Sequence, residues 1–228
     1  MYEWKWTEAE GQFKRAIELN PGYGFAHLWY GILLCQQGRF DEGKEEMGQA
    51  VDADPLSLDK NFVYAHAFYW SRDYDQYIAI LKKVVGLDPN WMGGHYRLSW
   101  AYELKGMPEE AWAELLKYSQ LRNFGTQRIE QLTKAYEESG FKGTWLMRLR
   151  WAKEVWARQT NKKMYPDKFG RAIAHIRVDE KEETLHWLQQ ALDDRDPRMC
   201  TIKVDPIFDA LRSDPRFILL QRNVGLIP

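Results

Sequence analysis

The chain of 228 residues is 45% apolar and 29% charged, enough to bury a sizeable core without help from disulfides. Lys plus Arg total 32 against 33 Asp plus Glu, a formal net charge of -1, so no global field draws the chain toward nucleic acid or anionic lipid. Two cysteines, Cys35 and Cys200, exclude a disulfide framework or a Cys-rich zinc module and fit a reducing, cytoplasmic compartment.

Met1-Tyr2-Glu3-Trp4-Lys5 holds no basic stretch leading into an apolar run, so no signal peptide is expected. No later segment approaches the roughly 18 uninterrupted apolar residues of a membrane helix. Thr7 to Pro21 reads as one helix, with Ala9, Phe13 and Ala16 on one face. Residues 24–57 read as two helices, one striped by Ala26, Tyr30, Leu33 and Leu34 and one by Met47, Ala50 and Val51. Residues 58–91 and 92–125 repeat that layout without insertion. Residues 126–164 form a divergent pair carrying Trp145, Trp151 and Trp156, ending in the polar stretch Arg158 to Lys163, read as a linker. Residues 165–228 resume with a last pair, in which Ala172, Leu188 and Ala191 hold the small, large and alanine positions. Asp205-Pro206 and Asp214-Pro215 then mark helix starts, with an N-cap followed by proline at the first helical position.

The units keep a period of 34 residues. Pro21, Pro55 and Pro89 are one series; Gly38, Arg72, Gly106 and Gly140 end helical runs; Gly31, Ala65, Ser99 and Thr133 are small; Leu34, Phe68, Tyr102 and Tyr136 are large; Ala16, Ala50, Val84, Tyr118 and Ala152 are a fifth. The small residue lets one helix of a pair approach the other, and proline stops the second helix. This pattern resembles the tetratricopeptide repeat, which implies an all-α, right-handed superhelical solenoid of antiparallel helix pairs. The half repeat at 1–23 supplies only a second helix. A solenoid end needs a polar cap, so the chain is expected to be a piece of a longer protein or to hide that edge, through Ala9, Phe13 and Ala16, in a homodimer.

Tyr2-Glu3-Trp4-Lys5-Trp6, Tyr136 to Gly143, and Asp194-Arg195-Asp196-Pro197 leading to Lys203-Val204-Asp205-Pro206 resemble the C-terminal repeat region of large bacterial signalling proteins. There such a region follows a kinase, a nucleotide cyclase or a winged-helix domain. The resemblance implies an interaction module and carries over no active site.

The first helix of each pair is expected to line the concave groove, giving Phe25, Trp29, Phe62, His66, Tyr69, Trp70, Tyr96, Arg97 and Trp100 as partner-binding residues for a protein or peptide segment. A carboxylate clamp needs Lys, Asn and Arg there, and only Arg97 qualifies. A glycan stacking on Trp29, Trp70 and Trp100, or an active site with His66, Asp59 and Glu103, are alternatives, and the rings are core if the helical phase is off by one residue. The five histidines never stand three or four apart, so no single-helix zinc pair exists. Gly-rich phosphate loops and nucleophile elbows are absent from the sequence as well, and neither a metal nor a cofactor is expected. Residues 142–171 hold nine basic side chains against Glu154 and Asp167, a net of +7. With three tryptophans interleaved this stretch has the composition of a nucleic-acid or lipid contact, but packing Trp and a wet basic face account for it more simply, and a nucleic-acid partner is not expected.

Overall fold

The computed structural model describes residues 4–158 and 167–227. The described residues contain no strand. The helices are α1 (Trp6–Leu19), α2 (Gly24–Gln37), α3 (Phe40–Asp52), α4 (Leu58–Trp70), α5 (Tyr74–Leu87), α6 (Met92–Leu104), α7 (Pro108–Leu121), α8 (Thr126–Arg158), α9 (Lys168–Ile176), α10 (Lys181–Asp193) and α11 (Pro215–Asn223), with 3-10 turns at Pro197–Thr201 and Pro206–Leu211. Of the expected linker from Arg158 to Lys163, Arg158 is the last residue of α8, and residues 159–163 lie outside the described residues.

The 34-residue series marks where the helices stop. Gly38 (φ 90°), Arg72 (φ 64°), Gly106 (φ 69°) and Gly140 (φ 59°) all have left-handed backbones. At the first three, the next amide folds back onto a carbonyl five residues earlier, Arg39 to Leu34, Asp73 to Phe68 and Met107 to Tyr102, each at 2.9 Å. This is the αL helix stop that satisfies orphan carbonyls, and Arg72 adopts it without glycine's freedom. Gly140 instead sits inside α8, where Ser139 and Gly140 leave helical geometry and bend the helix. Side-chain caps start α4 and α5: Ser57 Oγ accepts from the Lys60 amide at 3.3 Å and Asp73 Oδ1 from the Gln76 amide at 3.2 Å. At α11 the expected cap is Asp214, which accepts from the Arg216 amide at 2.8 Å, with Pro215 in the first turn.

Two compact units result. One holds the chain from α1 through Arg122 together with Cys200–Pro206 and the stretch from Gly225; the other holds Asn123–Met199 and Ile207–Val224. In the first unit the pairs α2/α3, α4/α5 and α6/α7 stack in order, and Leu34, Cys35, Met47, Ala50, Tyr77, Leu81 and Leu115 are fully or almost fully buried. A Cβ on Gly31 would stand 2.5 Å from Met47 Cγ and 2.7 Å from the Gly43 carbonyl, so the small-residue series marks the closest approach of α2 to α3.

Residues 200–206 are built into this unit. Ile202 and Val204 are 0% and 3% exposed, Lys203 Nζ donates to the Gln37 carbonyl at 2.8 Å and the Tyr69 hydroxyl donates to Asp205 Oδ1 at 2.7 Å. Lys203 therefore meets the carbonyl end of α2, the favourable end for a cation, while burial holds its ammonium below the usual lysine range. Farther along, the Trp6 indole edge lies against Gly225, whose Cβ, if present, would be 3.3 Å from the indole nitrogen.

The second unit is built on tryptophan and arginine. Arg148 and Arg177 lie 4.3 and 4.6 Å from the Trp145 ring, and Arg171 lies 4.6 Å from Trp156 and 4.5 Å from Trp187. Arg148 and Arg171, counted in the sequence as members of a wet basic face, are thus stacked on indoles of their own unit. Ala172, Leu188 and Ala191 are fully buried between α9 and α10, and Phe208 packs against Phe169 and Phe217.

Candidate interaction surface

Two histidine positions of the repeat are structural clasps. Buried His27 on α2 reaches the Pro21 carbonyl through Nε2 at 2.9 Å and Glu46 Oε2 on α3 through Nδ1 at 2.7 Å. His95, two repeats later, makes the same pair of bonds, to the Pro89 carbonyl at 2.9 Å and Glu114 at 2.6 Å. A carbonyl only accepts, so Nε2 carries a hydrogen in both. Each imidazole thereby ties the preceding proline loop and the second helix to the first. In the middle repeat Asn61 holds the place and donates Nδ2 to the Pro55 carbonyl at 3.0 Å and the Ser57 carbonyl at 2.7 Å, while Ile80 replaces the glutamate. These links were not foreseen as units, although the spacing of 68 between His27 and His95, matched by Glu46 and Glu114, carried the signal.

The nine residues expected in the groove divide sharply. Phe25 and Trp29 are each 54% exposed, one helical turn apart on α2. Tyr69, Trp70 and Trp100 are 2%, 7% and 6% exposed, which corrects their assignment as contact residues: they are core. Tyr69 lies tilted against Tyr77 at 5.3 Å, and Trp70 lies 5.8 Å from His66. The glycan platform of Trp29, Trp70 and Trp100 loses two of its three rings for the same reason. Phe62, His66 and Tyr96 are half-buried in an internal aromatic run: Phe62 meets Trp91 at 4.5 Å and His66 at 4.9 Å, and Tyr96 stacks on Tyr118 at 4.6 Å. Arg97 lies over Trp100 at 4.8 Å. Tyr23, which the helix-based reading passed over because it precedes α2, is 50% exposed and 6.3 Å from the Phe25 ring.

His66 donates from Nδ1 to the Phe62 carbonyl at 2.9 Å. Loss of hydration, reinforced by the Arg97 charge, pushes its pKa down from 6.5 to about 3, so it is a neutral packing residue and a weak base. A histidine whose pKa falls on folding takes up its proton more readily when unfolded. Its contribution is therefore intact above pH 6.5 and is lost as the pH falls from 6.5 toward 3. Between pH 7 and pH 5 the wild type is expected to lose about 2 kcal/mol more than His66→Gln in urea unfolding; equal losses would show that His66 is not held neutral.

The α1 edge assigned to self-association is largely used within the chain. Ala9 and Phe13, with Trp6 and Ile17, pack on Tyr30, Leu33 and Leu34 of α2, and Ala16 is half-buried beside them. Glu10 fastens the same contact, accepting from the Tyr30 hydroxyl and from Arg39 at 3.0 Å. Lys14 first, then Arg39 and Tyr30, hold its carboxyl down at about 2 against the opposing effect of burial. In the second unit a cleft of about 510 Å³ is lined by Lys153, Trp156, His175, Glu180, Glu183 and Trp187. His175 and Lys153 both take Glu180, at 2.5 and 3.5 Å. Among the described residues no group of three or more His, Cys, Asp or Glu is placed to hold a metal ion, and no helix is long and apolar enough to cross a membrane.

No protein-family model and no curated protein matches the chain. Among solved structures, the Cut9–Hcn1 hetero-tetramer of the APC/C is similar over 99% of this chain and 44% of that one, at 13% identity and a TM-score of 0.59. MamA follows with 13% identity over 85% of this chain and 90% of that one, at a TM-score of 0.48. YrrB, described as a TPR protein with an unusual peptide-binding site, has 14% identity over 84% of this chain and 96% of that one, at 0.47. The likeness is one of fold. Among the described residues the chain is an all-α solenoid of successive tetratricopeptide-type helix pairs.

Proposed function

We propose that this protein is a non-enzymatic interaction scaffold that binds a helical or extended segment of another protein on the first helix of its first full repeat. The observation that carries this reading is the pair Phe25 and Trp29, two large rings each 54% exposed and one turn apart, on a helix whose opposite side is core. Large aromatic side chains left in water on a rigid helix are the usual anchors of a protein interface. Tyr23 extends the strip. Of the other proposed groove residues, Phe62, His66 and Tyr96 pack within the two following repeats, and Arg97 holds the position equivalent to Trp29 two repeats on. A content of only two cysteines fits a cytoplasmic site of action.

The test is Phe25→Ser with Trp29→Ser. Both side chains are exposed, so unfolding should shift by no more than about 0.5 kcal/mol per site, while a partner captured by the wild type should bind at least about 30-fold more weakly. Unchanged binding by the folded double variant would remove the strip from the interface.

A further inference from the structure

We infer that the segment seated on the Phe25 and Trp29 strip is a basic amphipathic helix of a partner protein. This rests on the reading of the strip as a binding surface. The three full repeats differ in charge: residues 24–57 hold two basic side chains, Arg39 and Lys44, against six acidic ones, a net of -4, whereas residues 58–91 and 92–125 each hold four of either sign. The acidic repeat is the one that displays the rings. Arg39 engages Glu42, and His27 engages Glu46. Asp41, Glu45 and Asp52 are exposed and form no ion pair among the described residues. Their field is uncompensated and extends over a Debye length of about 10 Å at moderate salt.

The edge of the strip already displays the recognition. Lys60 Nζ stands 5.9 Å from the centre of the Phe25 ring and 3.3 Å from Asp54 Oδ2, an ammonium held between an aromatic ring and a carboxylate. Asp59, exposed and without an ion pair among the described residues, occupies on α4 the repeat position that Phe25 occupies on α2. An incoming helix with an apolar face for Phe25 and Trp29 and lysines along its flank meets the acidic surplus of this repeat, exposed Asp52 included, and Asp59 at the matching position of the next repeat; an acidic helix meets repulsion. A second copy of this chain is the poorer occupant, because most of the described cations of its basic stretch are already engaged: Arg148 and Arg171 are stacked on indoles, and Arg150, Lys153 and Lys168 are paired with Glu154, Glu180 and Asp194.

The experiment titrates the full chain into two labelled helical peptides of about 18 residues with one leucine pattern, one with lysine and one with glutamate at every polar position, read by fluorescence anisotropy. The lysine peptide is expected to bind, about tenfold more weakly in Phe25→Ser with Trp29→Ser and about three- to tenfold more weakly in Asp52→Asn with Asp59→Asn, with a marked loss at high salt. Equal binding of the glutamate peptide, indifference to Asp52→Asn with Asp59→Asn, or failure of the lysine peptide to bind each overturns the basic partner. Glutamate-peptide binding that disappears with the two rings would leave the strip standing as a surface; lysine-peptide binding that survives loss of the rings would remove both readings.

Discussion

Gly31→Ala is expected to destabilise the first unit by about 3 kcal/mol, a fall in melting temperature of roughly 6 to 12 °C. Alanine is the better helix former by about 1 kcal/mol, so propensity alone predicts the opposite sign. Packing decides, because the added methyl would sit 2.5 Å from Met47 Cγ and 2.7 Å from the Gly43 carbonyl. The Met47 side chain is itself fully buried, and its backbone nitrogen would stand 3.1 Å from the new methyl. The Gly43 carbonyl is backbone, so α2 and α3 must separate, and Leu34, Cys35 and Ala50 lose contacts with them. Gly11→Ala is the internal control: it lies in α1 with nothing within 4 Å of the new methyl and should stabilise by about 0.5 to 1 kcal/mol. Calorimetry of both variants compares the signs directly, and a Gly31→Ala protein as stable as Gly11→Ala would mean the two helices do not meet at this point.

His27→Ala is the second large effect. It strands the Pro21 carbonyl and the Glu46 carboxylate beside a buried void, and should cost about 2 to 4 kcal/mol. His27→Asn should recover about half of that loss, because asparagine at the equivalent Asn61 already bonds the Pro55 carbonyl at 3.0 Å. His95→Ala should behave alike, and the double alanine variant should show the sum, since the two clasps share no partner. Urea midpoints at constant slope measure all four. A His27→Ala loss below about 0.5 kcal/mol would show that the clasp contributes no net stability.

The 34-residue period was legible because each series answers to a local physical demand. A left-handed stop is needed at Gly38, Arg72 and Gly106, a missing side chain at Gly31, and a proline where the second helix must end. The candidate surface was legible only in part. Phe25 and Trp29 stand on the exposed face as expected, but the same reasoning placed Tyr69, Trp70 and Trp100 there, and they are buried. One residue turns a helical side chain by about 100°, and the polar residues of α4 and α6 are not gathered on one face, so their pattern does not mark the wet side. The Arg and Trp alternation of residues 142–171 misled for a related reason: a guanidinium that stacks on an indole reads in sequence as a free charge. The histidine clasps needed pairing across a helix pair, which becomes visible only when His27 and His95 are set beside Glu46 and Glu114.

Residues 200–206 carry a consequence for how the molecule comes into being. The helix that Lys203 closes ends 166 positions earlier, and Tyr69 waits for Asp205 across 136. A ribosome adding roughly 5 to 20 residues per second delivers these partners about 7 to 33 seconds after the residues they meet on α2 and α4 have been made. During that interval the repeats stand with one flank wet and the Tyr69 hydroxyl without Asp205. The N-terminal unit is therefore completed only after residue 206 has been made, and the nascent repeats are expected to be the stage most open to chaperones and proteases.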